Sequence, residues 1–459
     1  MLFRSFANLS IDKVGTGYTL TATGAGTATS AAFNITAGTA TQLVFSVEPS
    51  TTAAGAAITP AVQVTAQDGS GNTATGFTGN VTVAIGTNAG GGTLSGTATV
   101  AASGGVATFS TLSIDKAGTG YTLVTSASSV TGTTSDAFNI TPGAPASITS
   151  NSLITQSAAA GTAVSSPPSV IVRDASGNPV GGVEVTFTTG VNSGTVSPTG
   201  PIATGSDGIA TVTSWVLAAT PGPNTLTATA SPSGINGDPV FFTATGTPGS
   251  PSSSRSSATA SPSPITASSG DNVSTITVTA TDAFGNAVSG APVTLSATGP
   301  GNTLTSPGTT GTDGVMTGTL SSTTAGTKTI TATVSGVTIE TKPSVTVDPA
   351  AAAALVFTVQ PSNVVVGSLL APVVVTARDA FQNIATGFTG LVGVAIGTDG
   401  SLLNNAVLGG STSVAAVSGV ATFDDLTINE LGLGYTLVGS AAGVPTGATS
   451  SAFSVVTIL

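Results

Sequence analysis

Residues 64–79 read VTAQDGSGNTATGFTG, and residues 375–390 read VTARDAFQNIATGFTG. In both stretches an Asp is followed four positions later by an Asn, between two strand-like patterns. The same spacing recurs in the middle of the chain, so that copies begin at Asp68, Asp174, Asp282 and Asp379. Successive copies are roughly 100 residues apart, which is the usual size of one domain. The repeat therefore predicts a series of similar domains in tandem.

Two further marks help to set the domain limits. Residues 105–109 and 419–423 both read GVATF, and the pattern GxGYTL occurs at 15–20, 118–123 and 432–437. Residues 1–38 match residues 104–143, and this match predicts the C-terminal half of a domain. The predicted organisation is a partial domain over 1–38, complete domains over 40–145, 146–248, 257–348 and 351–456, and a Ser/Pro-rich linker over 249–256.

The composition is that of an all-β protein. Charged residues make up 6% of the 459 residues and apolar residues 40%, so the chain can bury cores while Thr and Val favour strands. Short stretches such as Val183–Phe187 alternate between apolar and polar residues, which is the period of a half-buried strand. Turn residues separate such stretches every ~8–12 residues, as in a β-sandwich.

Charge and residue types exclude several function classes. The net charge of −11 provides no basic surface for nucleic acid or for an anionic membrane. The most apolar run, residues 350–359, is too short to span a membrane, so no direct membrane insertion is expected. The chain has no His and no Cys, which removes the common bases, thiol nucleophiles and zinc ligands. No enzymatic activity, catalytic residue or cofactor-binding residue is predicted.

The four recurring carboxylates admit two interpretations. Oxygen ligands at domain ends bind calcium in some surface proteins, so a weak calcium site is one prediction for Asp68, Asp174, Asp282 and Asp379. An Asp that accepts hydrogen bonds from the backbone after it also shapes a turn. The turn is the favoured interpretation, because no dense acidic cluster surrounds any of the four.

A few other residues carry specific expectations. Each of Tyr18, Tyr121 and Tyr435 is expected to bury its ring and bond its hydroxyl to the backbone, as in a tyrosine corner. Trp215 is expected to be half-buried, and Lys13 and Lys116 to be solvated. Gln382 replaces the Gly of the other turns, and Asn383 is a candidate for the left-handed conformation there.

The two central repeats resemble bacterial immunoglobulin-like domains of the invasin/intimin type. The resemblance lies in VIVRDASGNPVGGVEVTF (170–187) with TGSDGIATVTSWVL (204–217), and in ITVTATDAFGNAVSGAPVTLSA (276–297) with TGTDGVMTGTLSS (310–322). The outer repeats are similar to a related bacterial subtype. The resemblance implies an all-β fold of tandem immunoglobulin-like (Ig-like) sandwiches arranged as an elongated rod.

The same resemblance implies an extracellular or cell-surface bacterial protein. The expected function is a structural spacer inside a larger adhesin-like protein, with neighbouring Ig-like repeats as partners. Two alternatives remain: a segment that binds a host or matrix ligand directly, and a fibre that assembles by strand donation through residues 1–38.

Overall fold

The computed structural model describes residues 5–305 and 308–457. The first four residues of the predicted partial domain lie outside these ranges. Within these ranges the regular structure consists of β-strands, and no helix is present that could cross a membrane. The chain divides into two units, Met1–Thr247 and Pro248–Leu459. Each unit contains two β-sandwiches, each built around its own hydrophobic core.

Residues 5–38 form short strands with an uncovered apolar face. The strands are β1 (Gly15–Tyr18), β2 (Thr21–Thr23), β3 (Thr27–Thr29) and β4 (Phe33–Ile35). Strand β1 pairs with β4, and β2 pairs with β3. The side chains of Phe6, Leu9 and Leu20 are 78%, 63% and 42% exposed. Their matches in the next repeat are fully buried: Phe109, Leu112 and Leu123.

The first sandwich follows directly. Its strands are β5 (Gln42–Val47), β6 (Thr52–Ala53), β7 (Val62–Gln67), β8 (Asn80–Ile85), β9 (Leu94–Ser95), β10 (Thr99–Ala101), β11 (Val106–Phe109), β12 (Ser113–Ile114), β13 (Gly118–Tyr121), β14 (Leu123–Ala127) and β15 (Phe138–Thr141). One sheet has the order β5-β7-β11, and the opposite layer contains β10-β8-β14 and β13-β15-β6. Strand β6 runs parallel to β15, which ties the start of the sandwich to its end.

The second sandwich repeats this plan with longer strands. Its strands are β16 (Pro145–Ser150), β17 (Thr155–Ala159), β18 (Ser169–Asp174), β19 (Glu184–Thr189), β20 (Thr195–Ser197), β21 (Ile202–Ala203), β22 (Ile209–Thr211), β23 (Ser214–Val216), β24 (Gly222–Ser231) and β25 (Val240–Thr247). The sheet β16-β18-β22 faces the sheet β17-β25-β24-β19-β21. In β24 the side chains of Leu226, Ala228 and Ala230 enter the core while the threonines between them face outward, as the period of two requires.

Trp215 lies at the centre of the second core. Its ring is fully buried, so the expected half-buried position is wrong. The indole N–H donates a hydrogen bond of 3.0 Å to the carbonyl of Ser193. Full burial is possible because this bond satisfies the one polar group of the side chain.

The third sandwich opens the second unit. Its strands are β26 (Ser257–Ser261), β27 (Ile265–Thr266), β28 (Ser274–Thr279), β29 (Val293–Ala297), β30 (Asn302–Leu304), β31 (Val315–Ser322), β32 (Gly326–Val334), β33 (Val337–Thr338) and β34 (Ser344–Asp348). The sheet β26-β28-β31-β30 faces β27-β34-β32-β29. The stretch predicted as a Ser/Pro-rich linker, 249–256, bonds to this sandwich through the N–H of Ser252 and the carbonyl of Thr281 at 2.7 Å.

The fourth sandwich has the plan of the first. Its strands are β35 (Ala354–Val359), β36 (Val364–Val365), β37 (Val373–Arg378), β38 (Leu391–Thr398), β39 (Leu408–Gly409), β40 (Ser413–Ala415), β41 (Val420–Phe423), β42 (Thr427–Ile428), β43 (Gly432–Ala441), β44 (Ala448–Thr449) and β45 (Phe453–Val456). The sheet β35-β37-β41 faces β36-β45-β43-β38-β40, and β39 pairs with β42 as β9 does with β12.

One turn of the fourth sandwich carries backbone strain. Gln382 itself adopts the left-handed conformation, with φ of 72°, so the expectation that Asn383 takes it is wrong. Glycine holds the matching position in the other three turns, at Gly71, Gly177 and Gly285. A side chain with a Cβ atom costs about 1–2 kcal/mol in this conformation.

We therefore expect Gln382→Gly to raise the free energy of unfolding of the fourth sandwich by about 1 kcal/mol. Native-state hydrogen exchange of the core strands β37 and β43 measures this change, because their slowest exchange follows unfolding of the sandwich. Gln382→Ala is the control and should give no such gain. A gain in both variants would show that loss of the Gln side chain, and not relief of strain, is responsible.

Candidate functional site

The four recurring Asp residues lie in turns that have the same hydrogen bonds. Oδ1 of Asp174 accepts the N–H of Ser176 at 2.9 Å and the N–H of Asn178 at 2.8 Å. The same two bonds form at the other copies: Asp68 with Ser70 and Asn72, Asp282 with Phe284 and Asn286, and Asp379 with Phe381 and Asn383. Each carboxylate thus shapes the turn in which it lies.

The second oxygen of each carboxylate holds the segment that leads into the sandwich. Oδ2 of Asp174 accepts the N–H of Gly143 at 2.8 Å and the side-chain N–H of Asn178 at 2.8 Å. The matching backbone donors to Asp68, Asp282 and Asp379 each lie at 2.9 Å: Gly38, Gly249 and Ala350. Each Asp therefore fixes its own turn and the entry to its own sandwich at once.

These carboxylates are buried, and N–H donors surround them. Asp174 and Asp282 are 4% and 1% exposed. Burial is the largest influence on the pKa of both groups and raises it, but the Asn side chain and the backbone N–H groups together outweigh burial and lower the pKa. At Asp68 the side-chain amide of Asn72 is the largest cause, and it holds the pKa far below its ordinary value. All three are charged at neutral pH.

In the turns that begin at Asp68, Asp174 and Asp379, the Asn reaches the preceding part of the chain. Nδ2 of Asn178 donates to the carbonyl of Asp115 at 2.9 Å, and its Oδ1 accepts the N–H of Ala117 at 3.0 Å. The same pair of bonds joins Asn72 to Asp12 and Val14, and Asn383 to Thr323 and Ala325. We call an Asp, the Asn four residues after it and the two backbone groups bound by that Asn a clasp.

Lysine strengthens two of the clasps. Nζ of Lys116 donates a bond of 2.6 Å to the carbonyl of Ser176, in the turn of the second sandwich. Nζ of Lys13 lies 3.3 Å from the matching carbonyl of Ser70. Lys116 is half-buried, so the expectation that it is merely solvated is wrong. Its ammonium group instead joins the first sandwich to the turn of the second.

A tyrosine supports the loops that receive Asn72 and Asn178, and a third tyrosine supports the matching loop of the fourth sandwich. The hydroxyl of Tyr121 donates to the carbonyl of Lys116 at 2.9 Å, and that of Tyr435 to Glu430 at 3.0 Å. Both tyrosines are fully buried, and Tyr18 makes the same bond to Lys13. The predicted tyrosine corners are therefore confirmed for Tyr121 and Tyr435, and the hydroxyl bond for the half-buried Tyr18. Each of these bonds fixes the middle residue of a three-residue loop. We call these loops receiving loops: Asp12–Val14, Asp115–Ala117 and the matching Asn429–Leu431.

The calcium prediction for Asp68, Asp174, Asp282 and Asp379 concerns these same groups. Over residues 5–305 and 308–457, no group of three or more Asp or Glu residues is arranged to hold a metal ion. Both oxygens of each carboxylate accept N–H groups, which a cation would displace. We expect about 5 mM calcium, enough to fill a typical extracellular site, to leave the melting temperature unchanged relative to EDTA. A rise that disappears in Asp174→Asn would support a metal site.

The outward role of the Asn was missed from the sequence. A turn of this kind needs only the Asp and a residue that tolerates positive φ. The signal was the recurrence of Asn four residues after Asp in all four copies, including the copy where Gln382 replaces Gly. Asn72, Asn178 and Asn383 each have backbone partners outside their own turn.

Comparison with known proteins found one matching family model and several similar solved structures. The model of the bacterial Ig-like domain (group 1) family matches residues 255–348. No curated protein matches the sequence. Among solved structures, FdeC, an adhesin of Escherichia coli, is 18% identical with a TM-score of 0.45, over 68% of this chain and 99% of that chain. Invasin, a bacterial integrin-binding protein, is 16% identical with a TM-score of 0.38, over 91% of this chain and 79% of that chain.

The strands, the facing sheets and the family match describe one kind of module. The predicted all-β fold of tandem Ig-like sandwiches is confirmed, and the matched residues coincide with the third sandwich. Residues 255–348 therefore match the group 1 bacterial Ig-like domain family, in a chain built of tandem Ig-like β-sandwiches.

Proposed function

We propose that this chain is a non-catalytic structural spacer within a large bacterial cell-surface or secreted adhesin-like protein. The observation that carries the proposal is the clasp, which connects consecutive parts of the chain within each unit. In the first unit Asn178 binds two backbone groups of the first sandwich, and Lys116 binds the turn of the second. A spacer needs such fixed junctions, whereas a flexible tether does not.

The surface location rests on the family of residues 255–348 and on the resemblance of the central repeats to the invasin/intimin type. A segment that binds a host or matrix ligand directly is the alternative. Fixed junctions favour the spacer, because they account for each clasp without a bound ligand.

Distances between nitroxide labels test the spacer. The chain has no Cys, so Ser126→Cys and Thr229→Cys place one label on an exposed strand position in each sandwich of the first unit. We expect a single narrow distance distribution in pulsed electron resonance. Asn178→Ala should broaden it, because that change removes both bonds of the Asn178 side chain to the first sandwich.

Asn72→Ala is the matched control, since it opens a clasp that the two labels do not span. It should leave the distribution narrow. A broad distribution in the parent chain would contradict the spacer and favour a ligand-binding segment on flexible connections. A distribution that stays narrow in Asn178→Ala would assign the stiffness to something other than the clasp.

A second function, assembly through residues 5–38, is favoured by one observation. Phe6, Leu9 and Leu20 are exposed although their matches in the first sandwich are buried. The face they form is therefore that of a sandwich whose other half lies outside residues 5–38. We propose that this face receives strands equivalent to β5–β10, from elsewhere in the same protein or from another molecule.

A further inference from the structure

The fourth sandwich carries a receiving loop of the kind that clasps use. Residues Asn429–Leu431 precede β43 as Asp115–Ala117 precede β13. The carbonyl of Glu430 accepts the hydroxyl of Tyr435, as the carbonyl of Lys116 accepts that of Tyr121. The loop therefore has the local support of the loop that binds Asn178.

Its two receiving groups have no partner in the part of the chain that the structure describes. These groups are the carbonyl of Asn429 and the N–H of Leu431, which match the groups of Asp115 and Ala117 bound by Asn178. The Asn429 side chain is occupied separately, because its Oδ1 accepts the N–H of Val407 at 2.7 Å. The carbonyl of Asn429 and the N–H of Leu431 are thus both available to bind one amide side chain.

Exposed leucines surround this loop. Leu431 and Leu433 are 45% and 75% exposed, and Leu402 and Leu403 are 99% and 80% exposed. The two pairs lie together because Ser401 bridges to Gly432 and the N–H of Leu433 donates to the carbonyl of Gly400 at 3.1 Å. A cluster of large exposed apolar side chains marks an interaction surface.

The charge at the centre of the loop differs from that of the first sandwich. Lys116 donates to the carbonyl of the third residue of the turn it meets. Glu430 occupies the position of Lys116 and can only accept hydrogen bonds when ionised. Since Glu430 would face the third residue of a turn that docks here, a basic side chain at that position both donates to Glu430 and complements its charge.

We infer that this surface receives a further Ig-like sandwich whose turn reads Asp, any residue, a basic residue, any residue, Asn. The Asn would bind the backbone of Asn429 and Leu431, the basic residue would meet Glu430, and the sandwich would cover the leucines. The inference rests on the geometry of the clasp and not on the spacer proposal, so it stands if the chain proves to bind a ligand.

An extended chain tests the inference. Val456 pairs with Val365 as Thr141 pairs with Ala53, so a copy of residues 142–248 can follow Val456 in register in the otherwise full chain. Three versions of the copy are made. One keeps Ser176, the second carries Ser176→Lys, and the third carries both Ser176→Lys and Asn178→Ala. The probe is hydrogen exchange at the amide of Leu431, measured by NMR and compared with the parent chain.

We expect Ser176→Lys in the copy to slow exchange at Leu431 by about ten-fold or more, and the unchanged copy to slow it less. Adding Asn178→Ala should restore the parent rate. Glu430→Lys should reverse the order of the first two copies. Equal rates in the parent and in the Ser176→Lys chain would overturn the docking site, and an order unaffected by Glu430→Lys would overturn the requirement for a basic residue. Neither result changes the label distances across the first unit, which test the spacer.

Discussion

Asp174→Ala is expected to lower the free energy of unfolding of the second sandwich by about 3–5 kcal/mol. The carboxylate accepts four N–H groups, from the backbone of Ser176, Asn178 and Gly143 and from the side chain of Asn178. Each buried donor that loses its acceptor costs about 1–3 kcal/mol, less where water can enter. The segment that leads into the sandwich loses its anchor in the same step.

Intrinsic fluorescence during urea unfolding measures this change for one sandwich alone. Trp215 is the sole Trp of the chain and lies in the second core. Asp207→Ala in the same sandwich is the matched control, because that exposed Asp accepts one N–H, from Ile209. It should cost no more than about 1 kcal/mol. Equal losses in the two variants would contradict the role we assign to Asp174.

Acid should have the same effect on the parent chain. The pKa of Asp174 in the folded chain lies below its ordinary value of 3.8, so the unfolded chain takes up the proton first as the pH falls. The stabilisation is complete above about pH 4 and is lost as the pH falls through the folded pKa. Asp174→Ala lacks this component, so its stability should change less over that interval.

Placing residues 40–103 ahead of Met1 should convert residues 5–38 into a complete sandwich. Met1 matches Gly104, so the joined chain has the register of the first sandwich. Leu9 is 63% exposed, whereas its match Leu112 is fully buried. Burial of such faces is the main favourable contribution to folding. We therefore expect Leu9→Cys to react with a thiol reagent rapidly in the parent chain and at least about a hundred-fold more slowly in the joined chain.

Val191→Cys serves as the control, because Val191 is 93% exposed in the second sandwich and should react equally fast in both chains. Since a Cys at a buried Leu position weakens packing, hydrogen exchange of β1 and β4 in the unsubstituted chains gives a second measure. Rapid labelling of the Leu9→Cys variant together with unprotected strands in the joined chain would show that the face does not accept strands of this type.

The sequence predicted the modules better than their connections. Period-two patterns placed strands such as β19 and β24, because alternation follows directly from the pleat. The turn at Asp174 followed from the chemistry of its carboxylate. The bonds of Asn178 and Lys116 to the preceding and following sandwich did not, because they depend on how two modules meet, and no local pattern encodes that. The conformation of Gln382 was missed because the packed strands on either side impose it against its own preference.

The clasp has a consequence for how such a chain changes through gene duplication. The Asn of an incoming sandwich binds a carbonyl and an N–H, which every residue except proline provides. At Asn178 a sandwich of the outer type receives one of the central type, and at Asn383 the order is reversed, yet the bonds are the same. For these two bonds, modules can therefore be copied, deleted or reordered without a matching change in the neighbour's side chains, and such a chain can lengthen or shorten in a single recombination step.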